Sequence, residues 1–374
     1  MIQRRYGTVV AINETSLELQ RLVVRTTEGE EVSAVNYPPL TGESLIGDRV
    51  LLNCTAVTLG LGSGGWDFVM AIDGSEQVQT DAPKAPGHLM KLRYTPGQVK
   101  VLVWDEETSP VKPTNGVDYG NLAGTPVLIA GIHSLLEPTL RALWSYHPGA
   151  QVVYIMTDGA CLPLAWSQSV ARLKAEGLIT TTVTSGHAFG GDYEALNSYS
   201  ALACAREVVT ADYIFISMGP GIPGTGTRYG STALEVGELV NAVITLNGQP
   251  ITIPRISQAD LRSRHYGISH HFLTALQRIA FASAYIPLSY FHGSEREWLG
   301  DRVAQSGLDS ANYHGILHQL SFHDVTAVAA KLQPYISTFR SMGRSYAEDP
   351  LHFAAGFGAA ELAYSLRRKR DCLI

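Results

Sequence analysis

The chain has 374 residues, of which 45% are hydrophobic and 17% charged, and its formal net charge is −6. This length predicts two domains at roughly 100–200 residues each. The apolar fraction is sufficient for sizeable cores, which excludes long disordered stretches. The acidic balance argues against a general nucleic-acid or anionic-membrane partner, because such partners favour a strongly basic face.

The spacing of the cysteines and the hydropathy of the chain indicate the cellular compartment in which the protein is expected. The four cysteines are widely spaced and form no CxxC pair, which argues against a disulfide framework and a cysteine-type zinc site. The N-terminus, MIQRRYGTVV, lacks a signal-peptide pattern, and no run of about 18 apolar residues predicts a membrane span. The sequence therefore predicts a cytoplasmic protein without membrane contact.

Residues 1–75 have the pattern of short β-strands separated by Gly, Asn, Glu and Pro clusters. The five predicted strands are YGTVVAI, LELQRLVVRT, EEVSAVNY, DRVLLNCTAV and WDFVMAI. Five such strands predict a small closed or nearly closed barrel. Barrels of this kind often bind oligonucleotides, but basic and aromatic residues are not interleaved here, so a docking or packing role is favoured.

Residues 76–98 form the predicted linker or connection, because the stretch GSEQVQTDAPKAPGH is polar and contains two prolines. A larger α/β domain with a helical C-terminal part is predicted over residues 99–374, beginning with a strand at 99–104.

From about residue 125, apolar runs such as TPVLIAGI and ADYIFISMG alternate with amphipathic helical segments. This alternation predicts a mostly parallel, Rossmann-like α/β sheet with helices on both faces. Residues 305–374 have a mainly helical pattern, and the small residues of LHFAAGFGAAELAYSLRRK favour close helix packing. Sheets of this class bind ligands at the carboxyl ends of their strands.

Two glycine-rich loops follow predicted strands. The first, SGHAFGGDYE, contains the candidate catalytic residues His187 and Asp192, and Asp192 also suits the first turn of a following helix. The second, residues 218–232, contains a GxGxxG pattern, but its prolines and its late helix argue against a standard dinucleotide site. Backbone N–H groups, hydroxyls and an arginine suit an anionic ligand instead, and a purely structural loop is the alternative. The candidate ligand-binding residues of this loop are Gly219, Gly221, Gly224, Thr225, Gly226, Thr227 and Arg228.

The densest polar segment is RISQADLRSRHYGISHHFLTALQR, residues 255–278. Its candidate catalytic residues are His265, His270, His271 and Asp260, and its candidate ligand-binding residues are Arg262, Arg264 and Ser269. A helix capped by Ser269 would keep the histidines that follow it neutral, as general-base chemistry or metal ligation requires. The spacing matches no known zinc motif, so a divalent metal stays open as a cofactor without being identified.

Four stretches together resemble a bacterial family described only as a domain of unknown function: SGHAFGGDYEA, SMGPGIPGTGTRYG, RISQADLRSRHYGISHH and MGRSYAEDP. The resemblance covers nearly the whole chain. It implies a bacterial cytoplasmic protein and supplies no activity, cofactor or catalytic residue.

Three functions remain open from the sequence. The first is an enzyme acting on a phosphorylated or nucleotide-like small molecule, held by the glycine loop and arginines while a histidine acts as acid or base. It requires the segments 187–194, 219–230 and 260–271 to lie on one side of the sheet. The second is a non-catalytic sensor of such an anionic ligand, and the third is a structural or nucleic-acid-associated protein that works through the barrel. A homodimer is the assembly to expect if the chain forms an oligomer.

Overall fold

A computed structural model describes residues 2–74, 86–113 and 119–372. The chain divides into two compact units, Met1–Leu102 and Val103–Ile374. Much of the predicted 76–98 connection, residues 76–85, lies outside the described residues. The rest of that segment includes a short strand that pairs with the strand predicted at 99–104.

The smaller unit contains the predicted barrel, which is closed and has the strand order β1-β2-β3-β5-β4. Its strands are β1 (Arg4–Thr15), β2 (Gln20–Thr26), β3 (Glu31–Asn36), β4 (Arg49–Asn53) and β5 (Asp67–Asp73). Two one-turn helices, α1 (Pro38–Thr41) and α2 (Thr55–Thr58), flank β4, and the short strands β6 (Leu89–Lys91) and β7 (Val99–Val101) pair with each other. Within the barrel β3 and β5 run parallel, and the other neighbours are antiparallel.

The barrel core is formed by small and branched apolar side chains that alternate along the strands. It consists of Val9, Leu22, Val24, Ala34, Val50, Leu52 and Val69. One charged pair is buried beside it, because the Nε of Arg5 donates to Oδ2 of Asp67 over 2.8 Å. Alternation of apolar and polar residues, the basis of the prediction, thus produces a filled barrel interior.

The larger unit is built on an eight-stranded sheet with the order β11-β10-β9-β12-β8-β13-β16-β17. Its strands are β8 (Pro126–Ala130), β9 (Val152–Thr157), β10 (Thr181–Thr184), β11 (Tyr193–Glu194), β12 (Tyr213–Met218), β13 (Gln249–Ile253), β16 (Tyr285–Tyr290) and β17 (Gln319–Asp324). All neighbouring pairs are parallel. Two small hairpins lie outside it: β14 (Ile256–Ser257) with β15 (Gly267–Ile268), and β18 (Arg340–Ser341) with β19 (Arg344–Ser345).

Helices cover both faces of the sheet, which confirms the predicted α/β class. They are α3 (Leu136–Tyr146), α4 (Gln168–Ala175), α5 (Ser198–Glu207), α6 (Glu235–Thr245), α7 (His270–Thr274), α8 (Gly293–Ser306), α9 (Thr326–Lys331), α10 (Gln333–Ile336) and α11 (Pro350–Asp371). Helices α3, α4, α9 and α11 share one apolar core with alternate strand residues, while α5 and α6 pack together and contact the same sheet. Because both faces are covered, β8, β9 and β12 are buried along their whole length.

Two local expectations differ from the structure. The segment after β10 was predicted to be helical from Asp192, but α5 begins only at Ser198, where the side chain of Asn197 accepts from the N–H of Ser200. The mainly helical pattern predicted for 305–374 missed the edge strand β17, whose sequence QLSFHD is mostly polar. In the described parts of the chain, no helix has both the length and the apolar character needed to cross a bilayer.

Candidate functional site

The middle of the sheet offers a ligand position at the carboxyl ends of β12, β8 and β13. After β8 the chain crosses to β9, which lies on one side of β8 in the sheet. After β13, the neighbour of β8, the chain crosses to β16, which lies on the other side. Such a divergence is where open α/β sheets bind ligands. A narrow pocket at this point is lined by Gly131 after β8, Ile222 after β12, and Arg255 and His271 after β13.

Three histidines meet beside this pocket. The ligand nitrogens of His265, His270 and His271 all lie within 4.8 Å of one another. The ring centroid of His265 is 5.1 Å from that of His270 and 5.7 Å from that of His271. His265 and His271 are buried, and His270 is partly exposed. The candidate histidines of the 255–278 segment therefore form one cluster.

The hairpin β14–β15 brings these histidines together. Ile256 pairs with Ile268 and Ser257 with Gly267, so the intervening residues fold back toward the start of α7. Gly267 has a φ of +79°, in the region that glycine adopts without strain. His265, which precedes this hairpin strand, is thereby placed against α7.

Each imidazole has a distinct hydrogen-bond environment. Nδ1 of His265 lies 2.8 Å from Oγ of Ser269, so this serine, at the position predicted for a helix cap, contacts the histidine and makes no capping bond. Nε2 of His271 lies 3.2 Å from the carbonyl oxygen of Thr227. A carbonyl only accepts, so this nitrogen carries the proton and Nδ1 keeps its lone pair. Nε2 of His270 is buried and has no hydrogen-bond partner.

The environment keeps these imidazoles neutral. Burial, followed by the charges of Arg255 and Arg262, lowers the pKa of His265 to about 3. Burial, followed by His271 and Arg264, lowers the pKa of His270 to about 4. Burial also lowers the pKa of His271. Neutral imidazoles at physiological pH can accept a proton or a metal ion.

Asp260 organises the arginines of the segment. Its oxygens accept from Nε of Arg262 over 2.9 Å and from Nη2 over 2.7 Å. Nη2 of Arg255 lies 3.2 Å and Nη2 of Arg344 lies 3.6 Å from Oδ2. The hydrogen bond from Arg262 is the main reason why the pKa of Asp260 lies well below its usual value. The carboxylate is thus permanently ionised and positions arginines.

The late motif MGRSYAEDP completes this network. Arg344 donates to Oδ2 of Asp349 over 3.1 Å, and the hydroxyl of Ser257 donates to the same oxygen over 2.6 Å. The groups linked by these contacts, together with Arg264 beside His270, are the arginines Arg255, Arg262, Arg264 and Arg344 and the carboxylates Asp260 and Asp349. Within this set, four positive and two negative charges leave a surplus of two positive charges.

The glycine-rich loop contacts the histidine cluster directly. Besides the hydrogen bond that His271 donates to the carbonyl oxygen of Thr227, a Cβ on Gly224 would lie 3.3 Å from Cε1 of His271. The loop is closed internally, since the N–H of Thr225 donates to the carbonyl of Gly230 over 2.6 Å. The predicted meeting of 219–230 with 260–271 is present in the structure.

A family comparison covers most of the chain. The sequence profile of a family described as "Protein of unknown function (DUF3866)" matches residues 33–360.

The chain belongs to the DUF3866 family.

This match confirms the resemblance to a domain of unknown function. It begins within β3 and ends within α11, so every stretch that carried the resemblance lies inside it. No curated protein and no solved structure matches this DUF3866 chain.

The third predicted segment of the DUF3866 chain, 187–194, lies apart from the cluster. It follows β10, which is separated from β13 by β9, β12 and β8, a distance of roughly 19 Å at about 4.8 Å per strand. The N–H of His187 donates to Oδ2 of Asp158 over 2.9 Å. Asp192 pairs with Lys174 and accepts from the N–H and hydroxyl of Thr182 over 2.9 Å, so it ties the sheet edge to α4.

Sequence reasoning missed Glu235 in the DUF3866 site. Glu235 opens α6 and accepts from the hydroxyl of Thr157 over 2.9 Å and from the N–H of Met218 over 3.1 Å, at the ends of β9 and β12. Burial, with a smaller effect from Asp158, raises its pKa to about 7. Such a pKa suits proton transfer near neutral pH. Its sequence signal, an acid at the first helical residue after a glycine-rich loop, is typical of any helix N-terminus.

Proposed function

We propose that this chain is an enzyme that acts on a phosphorylated or nucleotide-like small molecule bound at the carboxyl ends of β12, β8 and β13. One observation carries the proposal: neutral imidazoles and a surplus of two positive charges lie together at the point where the strand connections diverge. The positive charge supplies affinity for an anion, and the imidazoles supply acid–base chemistry.

The arginines divide into two groups by their contacts. Arg255 and Arg262 are held by Asp260, which fixes their orientation before a ligand binds. Arg228 and Arg264 are exposed and form no ion pair within the parts of the chain that the structure describes. We assign the first contact with the ligand's phosphate to Arg228 and Arg264, because guanidinium groups without an acidic partner can bind a phosphate in bidentate fashion.

The loop 219–230 supplies the second half of the anion site. Gly221 has a φ of +93° and empty space around its Cβ position, so the backbone there can approach a ligand closely. The hydroxyls of Thr225 and Thr227 lie 2.9 Å apart at the exposed tip of the loop. Together they provide N–H and O–H donors on the loop that contacts His271.

Anion binding is tested by calorimetric titration of the protein with inorganic phosphate, adenosine monophosphate and glucose 6-phosphate. The double variant Arg228→Ala/Arg264→Ala should bind each active ligand at least about tenfold more weakly, because two charge-assisted hydrogen-bonding groups are lost. Lys331→Ala, which removes an exposed cation from α9, is the matched control and should bind like the native protein. Failure of all three ligands to bind the native protein would contradict the proposal.

Catalysis is tested by following any bound phosphate compound with phosphorus NMR over time. In His265→Ala the conversion should fall by at least about a hundredfold, as expected for loss of a group that supplies acid–base chemistry. Ligands that bind tightly and stay unchanged in the native protein would instead establish a sensor and overturn the assignment as an enzyme.

A further inference from the structure

We infer that His265, His270 and His271 bind a single divalent transition-metal ion of the zinc type, with a fourth coordination position open. The inference rests on the proposed function for the role of the ion, which would lie beside the same anion site and, by binding the three imidazoles, would take over their acid–base role through a bound water. The binding of the ion itself is argued from the three side chains alone.

The proton positions on the histidines favour ligation. His271 must donate through Nε2 to the carbonyl of Thr227, which leaves Nδ1 as a lone-pair donor. His265 has Nδ1 engaged with Ser269, which leaves Nε2 available. Metal-binding histidines characteristically have the second ring nitrogen held by such an outer partner, which fixes the ring orientation.

His270 supplies an independent observation. Its Nε2 is buried and has no hydrogen-bond partner within the described parts of the chain. A buried polar atom without a partner destabilises the folded state. A metal ion bound at this nitrogen would remove that penalty, whereas a purely structural role for His270 offers no reason to keep the polar atom there.

The distances fit an ion after a small closing movement. Zinc–nitrogen bonds of about 2.0–2.1 Å in a tetrahedral site place the donor nitrogens roughly 3.3 Å apart. In the structure, one ring nitrogen of each histidine lies within 4.8 Å of one ring nitrogen of each of the other two. Because His270 is partly exposed, its ring can shift by the required amount more easily than the two buried rings.

The donor set selects the class of ion. Three imidazoles suit zinc, cobalt, nickel or copper, whereas magnesium and calcium need carboxylate and carbonyl oxygens. Asp260, the carboxylate of the same segment, is already engaged by arginines. Three neutral ligands leave the full charge of the ion beside the arginines, so the open position would favour water, hydroxide or an anionic substrate, and bound zinc acidifies such a water.

The test is equilibrium dialysis of the purified native protein against zinc and against cobalt, followed by elemental analysis. One equivalent of zinc should be retained, and cobalt should give the visible absorption of a tetrahedral site. Magnesium should not compete. His187→Ala, which removes a histidine that follows β10, four strands away from β13 in the sheet, is the control and should retain the metal.

His270→Leu separates ligation from folding. Without metal its melting temperature should equal or exceed that of the native protein, because an unpartnered buried nitrogen has been replaced by an apolar group. With zinc present, the native protein should melt at a higher temperature while His270→Leu should not shift. Equal metal retention by His270→Leu and the native protein, or no retention by the native protein, would overturn the inference.

The two proposals fail in different ways. Arg228→Ala/Arg264→Ala should lose phosphate affinity and keep its zinc. Zinc retention with no phosphate binding would leave the metal site standing and remove the proposed function, and phosphate binding without zinc retention would do the reverse.

Discussion

The carboxyl group of Glu235 is partly protonated near neutral pH. Its pKa is raised from 4.5 to about 7, mainly by burial. The folded chain therefore binds a proton that the unfolded chain has released above about pH 4.5. The stabilisation by this proton is complete below that pH and is lost as the pH rises through 7.

Glu235→Gln should be more stable than the native protein at pH 8 and about equally stable at pH 4.5. The pKa difference corresponds to at most about 3 kcal/mol, and the partial exposure of the side chain reduces it. The glutamine oxygen can still accept from Thr157 and Met218. The measurement is urea unfolding at several pH values between 4.5 and 8.

Glu297→Gln is the control for that series. Glu297 is exposed on α8 and is not among the charges that act on Glu235, so its replacement should leave the pH dependence of unfolding intact. A native-like slope between pH 5 and 7 in Glu235→Gln would show that another group titrates.

At the residue scale, the density of His265, His270 and His271 in the sequence was sufficient to predict a cluster, but its geometry was not predictable. The three histidines are brought together by the two-residue strands β14 and β15. These strands are too short to give a periodic apolar pattern in the sequence. Glu235 was not predictable because the burial that raises its pKa depends on the tertiary fold, which also brings Thr157 and Met218 against its carboxyl group.

Helices α3 and α11 pack with almost no space between their backbones. A Cβ on Gly356 would lie 2.4 Å from Oγ1 of Thr139 and 3.1 Å from its backbone nitrogen. The small-residue run of α11, singled out in the sequence, therefore permits this approach. The close approach of α3 and α11 therefore depends on the glycine at position 356 rather than on the helix propensity of the residues in α11.

Gly356→Ala should destabilise the protein by about 1–3 kcal/mol, because overpacking outweighs the helix propensity that alanine gains. Gly300→Ala, in the middle of α8 where a Cβ meets nothing within 4 Å, should stabilise it by up to about 1 kcal/mol. Thermal unfolding of both variants checks the pair, and a stabilised Gly356→Ala would contradict the packing argument.

At the element scale, the sequence predicted the strands that are buried on both faces of the sheet and missed those at its edges. Strands β8, β9 and β12 are buried on both faces and appear as continuous apolar runs, so they were found. The edge strands β11 and β17 were missed, because one has two residues and the other is half polar. Their pairing is set by the neighbouring strand and not by their own side chains.

The whole molecule carries a net charge of −6, yet its candidate site has a local surplus of two positive charges. Nearby charges dominate an anion's binding, since at about 0.1 M salt interactions beyond roughly 10 Å are screened. The site is therefore a cationic position on an acidic protein, which matches a small anion better than a nucleic-acid strand.

Phosphate affinity should fall several-fold when NaCl is raised from about 50 mM to about 500 mM, because salt screens the arginines. Titration calorimetry at several salt concentrations measures this dependence. In Arg228→Ala/Arg264→Ala the remaining affinity should depend less on salt. An affinity that rises with salt would show that apolar contacts dominate the site.

The backbone edges of this chain restrict how it can self-associate. The barrel is closed, so its strands pair all the way round. The open sheet ends in β11, which offers two residues, and in β17, whose QLSFHD sequence places a histidine and an aspartate along the rim. Short or charged rims are poor templates for a second strand. Within the described residues, a contact between two copies through the barrel or the eight-stranded sheet is therefore expected to use side-chain surfaces rather than strand pairing.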